Sequence, residues 1–68
     1  MKISEDGILR KVTWTIDDME DVSKAQSIFI ELTQQGWLAF KRNGDYKRIL
    51  EFKAEHGELL FMPLIEGG

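Results

Sequence analysis

Cysteine is absent from the 68 residues. That excludes disulfides and every thiolate metal site, so packing alone must hold the fold. It also fits a reducing compartment, and a cytoplasmic setting is expected. Histidine is nearly absent too. His56 stands beside Glu55 and Glu58, but a single His without Cys makes a poor transition-metal set, and no metal centre is expected. Long apolar runs are missing. The longest is about seven residues counting Pro63, far short of the ~20 needed to span a bilayer. No basic n-region with an apolar h-region opens the chain, so no signal peptide is expected. A basic excess is missing as well. Nine Lys and Arg face twelve Asp and Glu, a net charge of −3, which speaks against a general nucleic-acid binder. There is no phosphate-binding or dinucleotide fingerprint. Ser4, Ser23 and Ser27 lie far in sequence from His56, so no nucleophile–base pair is evident. Neither catalysis by the chain itself nor a bound cofactor is expected.

What is present is enough for one small core. Hydrophobic residues make up 43% of the chain, with two Trp and four Phe. A chain of this length buries only about 60% of the surface its unfolded form exposes, so a single domain over residues 1–68 is expected.

Periodicity gives the elements. Met1–Ser4 reads as a short strand, and Glu5-Asp6-Gly7 as a turn. Ile8 to Ile16 alternates, with Val12, Trp14 and Ile16 on one face and Lys11, Thr13 and Thr15 on the other. Asp17 reads as a helix N-cap with Glu20 three residues on, as in a capping box. The helix is expected to run to about Gln35, with Gly36 just beyond its end. Val22, Ala25, Phe29 and Leu32 recur at helical spacing, flanked by Met19 and Ile28. Glu20, Lys24, Ser27, Glu31 and Gln34 lie opposite, with Ile30 at the rim. From Trp37 the period returns to two. Trp37–Arg42, the pair Asn43-Gly44 and Tyr46–Phe52 read as a hairpin with a type I′ turn. Trp37 is expected half in the core, where the sheet meets the end of the helix. Ala54–Gly57 form a turn before a last strand, Glu58–Ile65. Pro63 belongs at an edge, at a bulge, or where that strand leaves the sheet. The expected fold is α+β: a small mixed sheet of four to five strands with one amphipathic helix on one face, in the order (β)β-α-β-β-β.

Two features point beyond the fold. The first is the C-terminus. An apolar strand with Phe61, Pro63 and Ile65 leads through Glu66 into Gly67-Gly68. Glycine adds no side chain, so such a tail can thread a narrow channel and present its carboxylate. These residues, with Gly57-Glu58 ahead of the strand, resemble the tails of ubiquitin-like sulfur carriers of thiamine and molybdopterin synthesis. The resemblance implies a β-grasp domain with the last strand mid-sheet beside the first, and a flexible tail over residues 66–68. It implies an ATP-dependent activating enzyme as partner, with Gly68 the residue activated and Gly67 its spacer. Phe61, Pro63 and Ile65 would help that partner dock. Glu66 stands where such carriers usually have a small residue.

The second feature is a basic hairpin. Lys41, Arg42, Lys47 and Arg48 bracket Asn43-Gly44, with Phe40 and Tyr46 interleaved. Three readings stay open for it. Its charges can simply discourage edge-to-edge strand pairing. They can dock a protein partner, as in the small assembly proteins that phages and mobile elements encode. Cations mixed with aromatics can also hold single-stranded nucleic acid, though the acidic remainder of the chain makes that partner unlikely.

Overall fold

The computed structural model describes residues 1–64. Its elements are β1 (Lys2–Asp6), β2 (Leu9–Thr13), α1 (Met19–Gln34), β3 (Trp37–Asn43), β4 (Asp45–Ile49), a 3₁₀ turn (Ala54–His56) and β5 (Glu58–Pro63). The strands form one sheet in the order β1-β2-β5-β3-β4, and every neighbouring pair is antiparallel. No helix among the described residues is long and apolar enough to cross a membrane.

The α+β class and the β-β-α-β-β-β order are as the periodicity indicates. The sheet is not mixed, however, and β5 does not lie beside β1. Its neighbours are β2 and β3. Composition explains the placement. Every residue of β1 is exposed, whereas β2 carries Val12 and leads into Trp14, which are 1% and 7% exposed. The strand with apolar residues to bury takes the inner position, and polar β1 closes the edge. The helix carries the chain back over the sheet, so β2 and β3 run in the same direction. β5 fills the gap between them, antiparallel to both. A strand flanked by a neighbour on each edge is shielded from both sides and can be apolar at successive positions, as Leu59-Leu60-Phe61-Met62 is.

The core lies between the sheet and α1. Val12, Trp14, Ala39, Leu59 and Phe61 from the sheet meet Ala25, Phe29 and Leu32 of the helix. Trp37 packs partly buried at its margin, with the Arg10 guanidinium 4.6 Å from its ring centroid. The helix does not cover this face alone. After β4 the chain turns inward, and Phe52 stacks 5.2 Å from Trp14 and 5.8 Å from Phe29. This is why β4 stops at Ile49 rather than Phe52. The Trp14 indole N–H donates to the Ala54 carbonyl at 2.9 Å, and the Trp14 amide to the Gly57 carbonyl at 3.0 Å. These bonds end β2 at Thr13 and leave Ile16 half exposed.

The helix begins one residue later than its acidic lead suggests. Asp18, not Asp17, is the N-cap, and its carboxylate accepts from the amides of Glu20 and Asp21. A turn closed by the Asp18 amide on the Thr15 carbonyl displaces Asp17. Asp21, rather than Glu20, closes the start. Its carboxylate accepts from the Thr15 amide at 2.8 Å and pairs with the N-terminal ammonium of Met1. Met19 lies outside the apolar face and is 87% exposed. Gln35 is the C-cap, and Gly36 follows at φ +94°.

Phe61 is the residue on which this packing converges. It is 1% exposed, contacts Phe29 edge-on at 6.2 Å, and pairs with Arg10 on one side and Ala39 on the other. Truncation of such a residue costs about 3–5 kcal/mol. Domains of this size hold only ~0.05–0.15 kcal/mol per residue. Phe61→Ala is therefore expected to lose most or all cooperative unfolding in urea. Tyr46→Ala, at a 57% exposed position, should shift the midpoint by no more than about 0.5 kcal/mol.

Candidate functional site

The β3–β4 hairpin is tighter than a type I′ turn. That turn needs positive φ at both central residues. Here no non-glycine residue has positive φ, and only Gly44, at +84°, takes that role. Asn43 pairs directly with Asp45, which sets Ala39 opposite Ile49, Phe40 opposite Arg48, Lys41 opposite Lys47 and Arg42 opposite Tyr46. Burial explains the choice. A two-residue Asn-Gly loop would shift the pairing by one and exchange the faces of β4. Arg48 would then stand against buried Ala39, and Ile49 would leave the core side.

Strand alternation divides the basic cluster in two, and this register sets lysine with lysine. Lys41 and Lys47 stand on the face that carries α1. Arg42 and Arg48 stand on the opposite face, each directly across from an aromatic residue, Tyr46 and Phe40. That uncovered face also carries an apolar row. Leu60 is 8% exposed with Phe40 and Lys11 as its cross-strand neighbours, and Leu38 lies opposite Met62.

The connector after β4 adds a further cation that sequence spacing does not single out. Lys53 joins Lys41, Lys47, Arg48 and His56 around a hollow of about 450 Å³ beside β4. Lys53 follows the strand by four residues and reads as loop. Only the inward turn at Phe52 brings it to the hairpin. The Lys41 ammonium donates to the His56 carbonyl at 2.5 Å and ties the connector to β3.

The charges of this region are left open. Of the four other Lys and Arg side chains, three meet carboxylates: Arg10 with Glu5 at 3.1 Å, Lys11 with Glu58 at 3.6 Å and Lys24 with Glu20 at 3.8 Å. Among the described residues, Lys41, Arg42, Lys47, Arg48 and Lys53 form no ion pair. Lys41 and Lys47 even oppose each other directly, where like charges are destabilising. Five cations against Asp45 and Glu51 give residues 41–53 a net +3, in a chain whose total is −3. The remaining residues therefore carry −6.

The other candidate residues are placed as follows. Phe61 is core and offers no surface of its own. Pro63 is half-buried at the last position of β5, beyond the final β2 pair but still opposite Trp37 of β3, so it lies where one side of the strand has become an open edge. Ile65, Glu66, Gly67 and Gly68, and with them the tail over 66–68, lie outside the described residues. No group of three or more His, Cys, Asp or Glu able to hold a metal ion occurs among the described residues. The Ser27 hydroxyl donates to the Ser23 carbonyl one turn back in α1. Comparison with protein-family models, curated proteins and solved structures gives no match.

His56 reports on this region through pH. Burial holds its imidazole below the ordinary histidine value, Lys41 and Lys53 push the same way, and Glu55 opposes them. Its Nδ1 is buried with no partner. A lowered folded value means that the unfolded chain binds the proton more tightly. The contribution to stability is therefore complete above the ordinary histidine value and is lost as pH falls below it toward the folded value. The urea midpoint of the native protein is expected to fall between about pH 7 and pH 5. His56→Gln should flatten that part of the profile.

Proposed function

We propose that this chain is a non-enzymatic interaction protein that docks an acidic protein partner on its β3–β4 hairpin. The observation that carries this is the set of five cations on one hairpin and its connector that form no ion pair among the described residues, while Arg10, Lys11 and Lys24 elsewhere do. Leaving like charges opposed costs stability unless something outside the chain compensates. A surface that is locally positive on a globally negative protein steers a negative partner to one place and repels it elsewhere. The apolar row through Leu60, Phe40, Leu38 and Met62 lies on the sheet face beside Arg42 and Arg48, and gives such a partner a dry surface next to the charges. Net negative charge favours a protein over nucleic acid as that partner. Titration with labelled polyglutamate at low salt is expected to give binding that weakens with added salt and is lost in the triple variant Arg42→Glu, Lys47→Glu, Arg48→Glu. Tighter binding of oligothymidylate than of polyglutamate would assign the hairpin to single strands instead. No binding of either would overturn the proposal.

A second reading rests on the end of β5. A ubiquitin-like carrier uses a C-terminal Gly-Gly that follows a strand fixed in the domain. Here β5 is central in the sheet, and beyond it the Leu64 amide donates to the Gly36 carbonyl at 3.2 Å. Residues after Leu64 would thus start from a fixed point. A central last strand and one helix on one face are what support a β-grasp relationship. In this reading an activating enzyme adenylates Gly68 with ATP, releasing pyrophosphate, and the acyl group passes to a sulfide donor or to an amine as AMP leaves. Incubation with ATP and an activating enzyme of the sulfur-carrier class is expected to add the mass of an adenylate, and with added sulfide that of a thiocarboxylate. An unmodified chain, together with unchanged behaviour after deletion of Gly68, would remove this reading.

A further inference from the structure

The edge of β4 is unpaired, since this strand ends the sheet and bonds only to β3. Two hollows lie along it. One, of about 320 Å³, is lined by Phe29, Trp37, Ile49 and Leu50 among others. The other is the hollow of about 450 Å³ with Lys41, Lys47, Arg48 and Lys53, against which Glu51 is the one carboxylate on the lining. Ile49, Leu50 and Arg48 line both, so the two are adjacent along β4. The edge therefore runs from a basic end, near Lys47, to an apolar end, near Ile49 and Leu50. Leu50 is 79% exposed, an apolar side chain at the mouth of the apolar hollow with little of the chain covering it.

The opposite edge of the sheet differs. On β1, Lys2, Glu5 and Asp6 mix both signs, and Glu5 is paired with Arg10. That edge is blunted in the usual way, by mixed charge. On β4 the one carboxylate, Asp45, sits at the turn end, and the charges that follow are both positive. Cations stand on both faces of the strand, Lys47 on one and Arg48 on the other. An edge with a basic excess disfavours a second copy of itself, but it attracts an acidic strand.

We propose that β4 receives an extended protein segment as a sixth strand, apolar at the end beside Ile49 and Leu50 and acidic at the end beside Lys47 and Lys53. This rests on the docking role proposed above and names its mode. Free N–H and C=O groups of the β4 edge supply main-chain hydrogen bonds. The two hollows supply side-chain selectivity at alternate positions. The acidic end neutralises the opposed Lys41 and Lys47.

The test uses the full chain and an extended peptide of about eight residues, two valines and four glutamates flanked by threonine, made in both sequence orders. Hydrogen exchange of the β4 amides and peptide affinity are read together. One order is expected to bind and to slow exchange of the outward β4 amides at least tenfold. Lys47→Glu/Lys53→Glu, both at exposed positions, should weaken binding about tenfold or more without shifting the urea midpoint. The same peptide N-methylated at alternate residues keeps its charge but cannot pair with the edge, and should lose both binding and protection. If the N-methylated peptide binds as well as its parent, docking is electrostatic only. Strand addition is then overturned while the hairpin remains the docking site. If neither peptide binds and polyglutamate also fails, both proposals fall. Protection confined to β1 would likewise overturn the assignment to β4.

Discussion

Burial of β5 on both faces is the constraint on which the rest of this fold depends. Leu59 and Phe61 point to the helix, and Leu60 points to the other side. A strand apolar on both faces has to be central, with a neighbour on each edge. Antiparallel β2 and β3 provide those neighbours, and their shared direction requires a crossover, which α1 supplies. The remaining strands then have only the edges to occupy. β1 and β4 are the most polar strands, with four or five of their five residues exposed. Apolar content thus sorts the strands from centre to margin, and the charged hairpin is pushed to the rim.

The same constraint fixes the register of the hairpin. Ala39 pairs with Phe61 on one side and with Ile49 on the other, one continuous apolar row under the helix. Keeping Ile49 in that row dictates which way every other β4 side chain points. Asn43 gives up the positive φ that an Asn-Gly turn would use, and Gly44 alone reverses the chain. The turn yields to the core because side-chain burial is worth more than local turn preference, about 1.5–3 kcal/mol for an aliphatic side chain.

Element type and order are legible in the sequence because each rests on local periodicity. Helix α1 ends where Gly36 marks it, and the 3₁₀ turn falls at Ala54–His56. What is not legible depends on contacts distant in sequence. The neighbours of β5 follow from comparing β1 with β2, not from β5 itself. The early ends of β2 and β4 come from Trp14 bonding to Ala54 and from Phe52 turning in to meet Trp14 and Phe29. Asp18 displaces Asp17 as cap because a turn closed by the Asp18 amide on the Thr15 carbonyl moves the helix start on by one residue. The candidate site divides in the same way. Four of its cations are plain in the sequence, and strand alternation alone places two on each face, but that lysine opposes lysine and both arginines share the other face follows from a one-residue difference in turn length. Lys53 joins them only through the packing of Phe52.

That separation changes what the hairpin can do. With lysines on one face and arginines on the other, the charge surrounds an edge. An anion lying flat on either face meets only half of it, whereas an extended chain along the rim meets both. The acidic groups that could have neutralised the hairpin exist in the same molecule. Asp17, Asp18, Glu20 and Asp21 instead crowd the start of α1, where the helix dipole and the N-terminal ammonium stabilise them. Holding the two signs apart forgoes internal ion pairs worth up to about 1 kcal/mol each at the surface. Because most surface pairs are worth less than that, the domain bears the loss, and the β4 edge is left as the place where an external negative charge gains most.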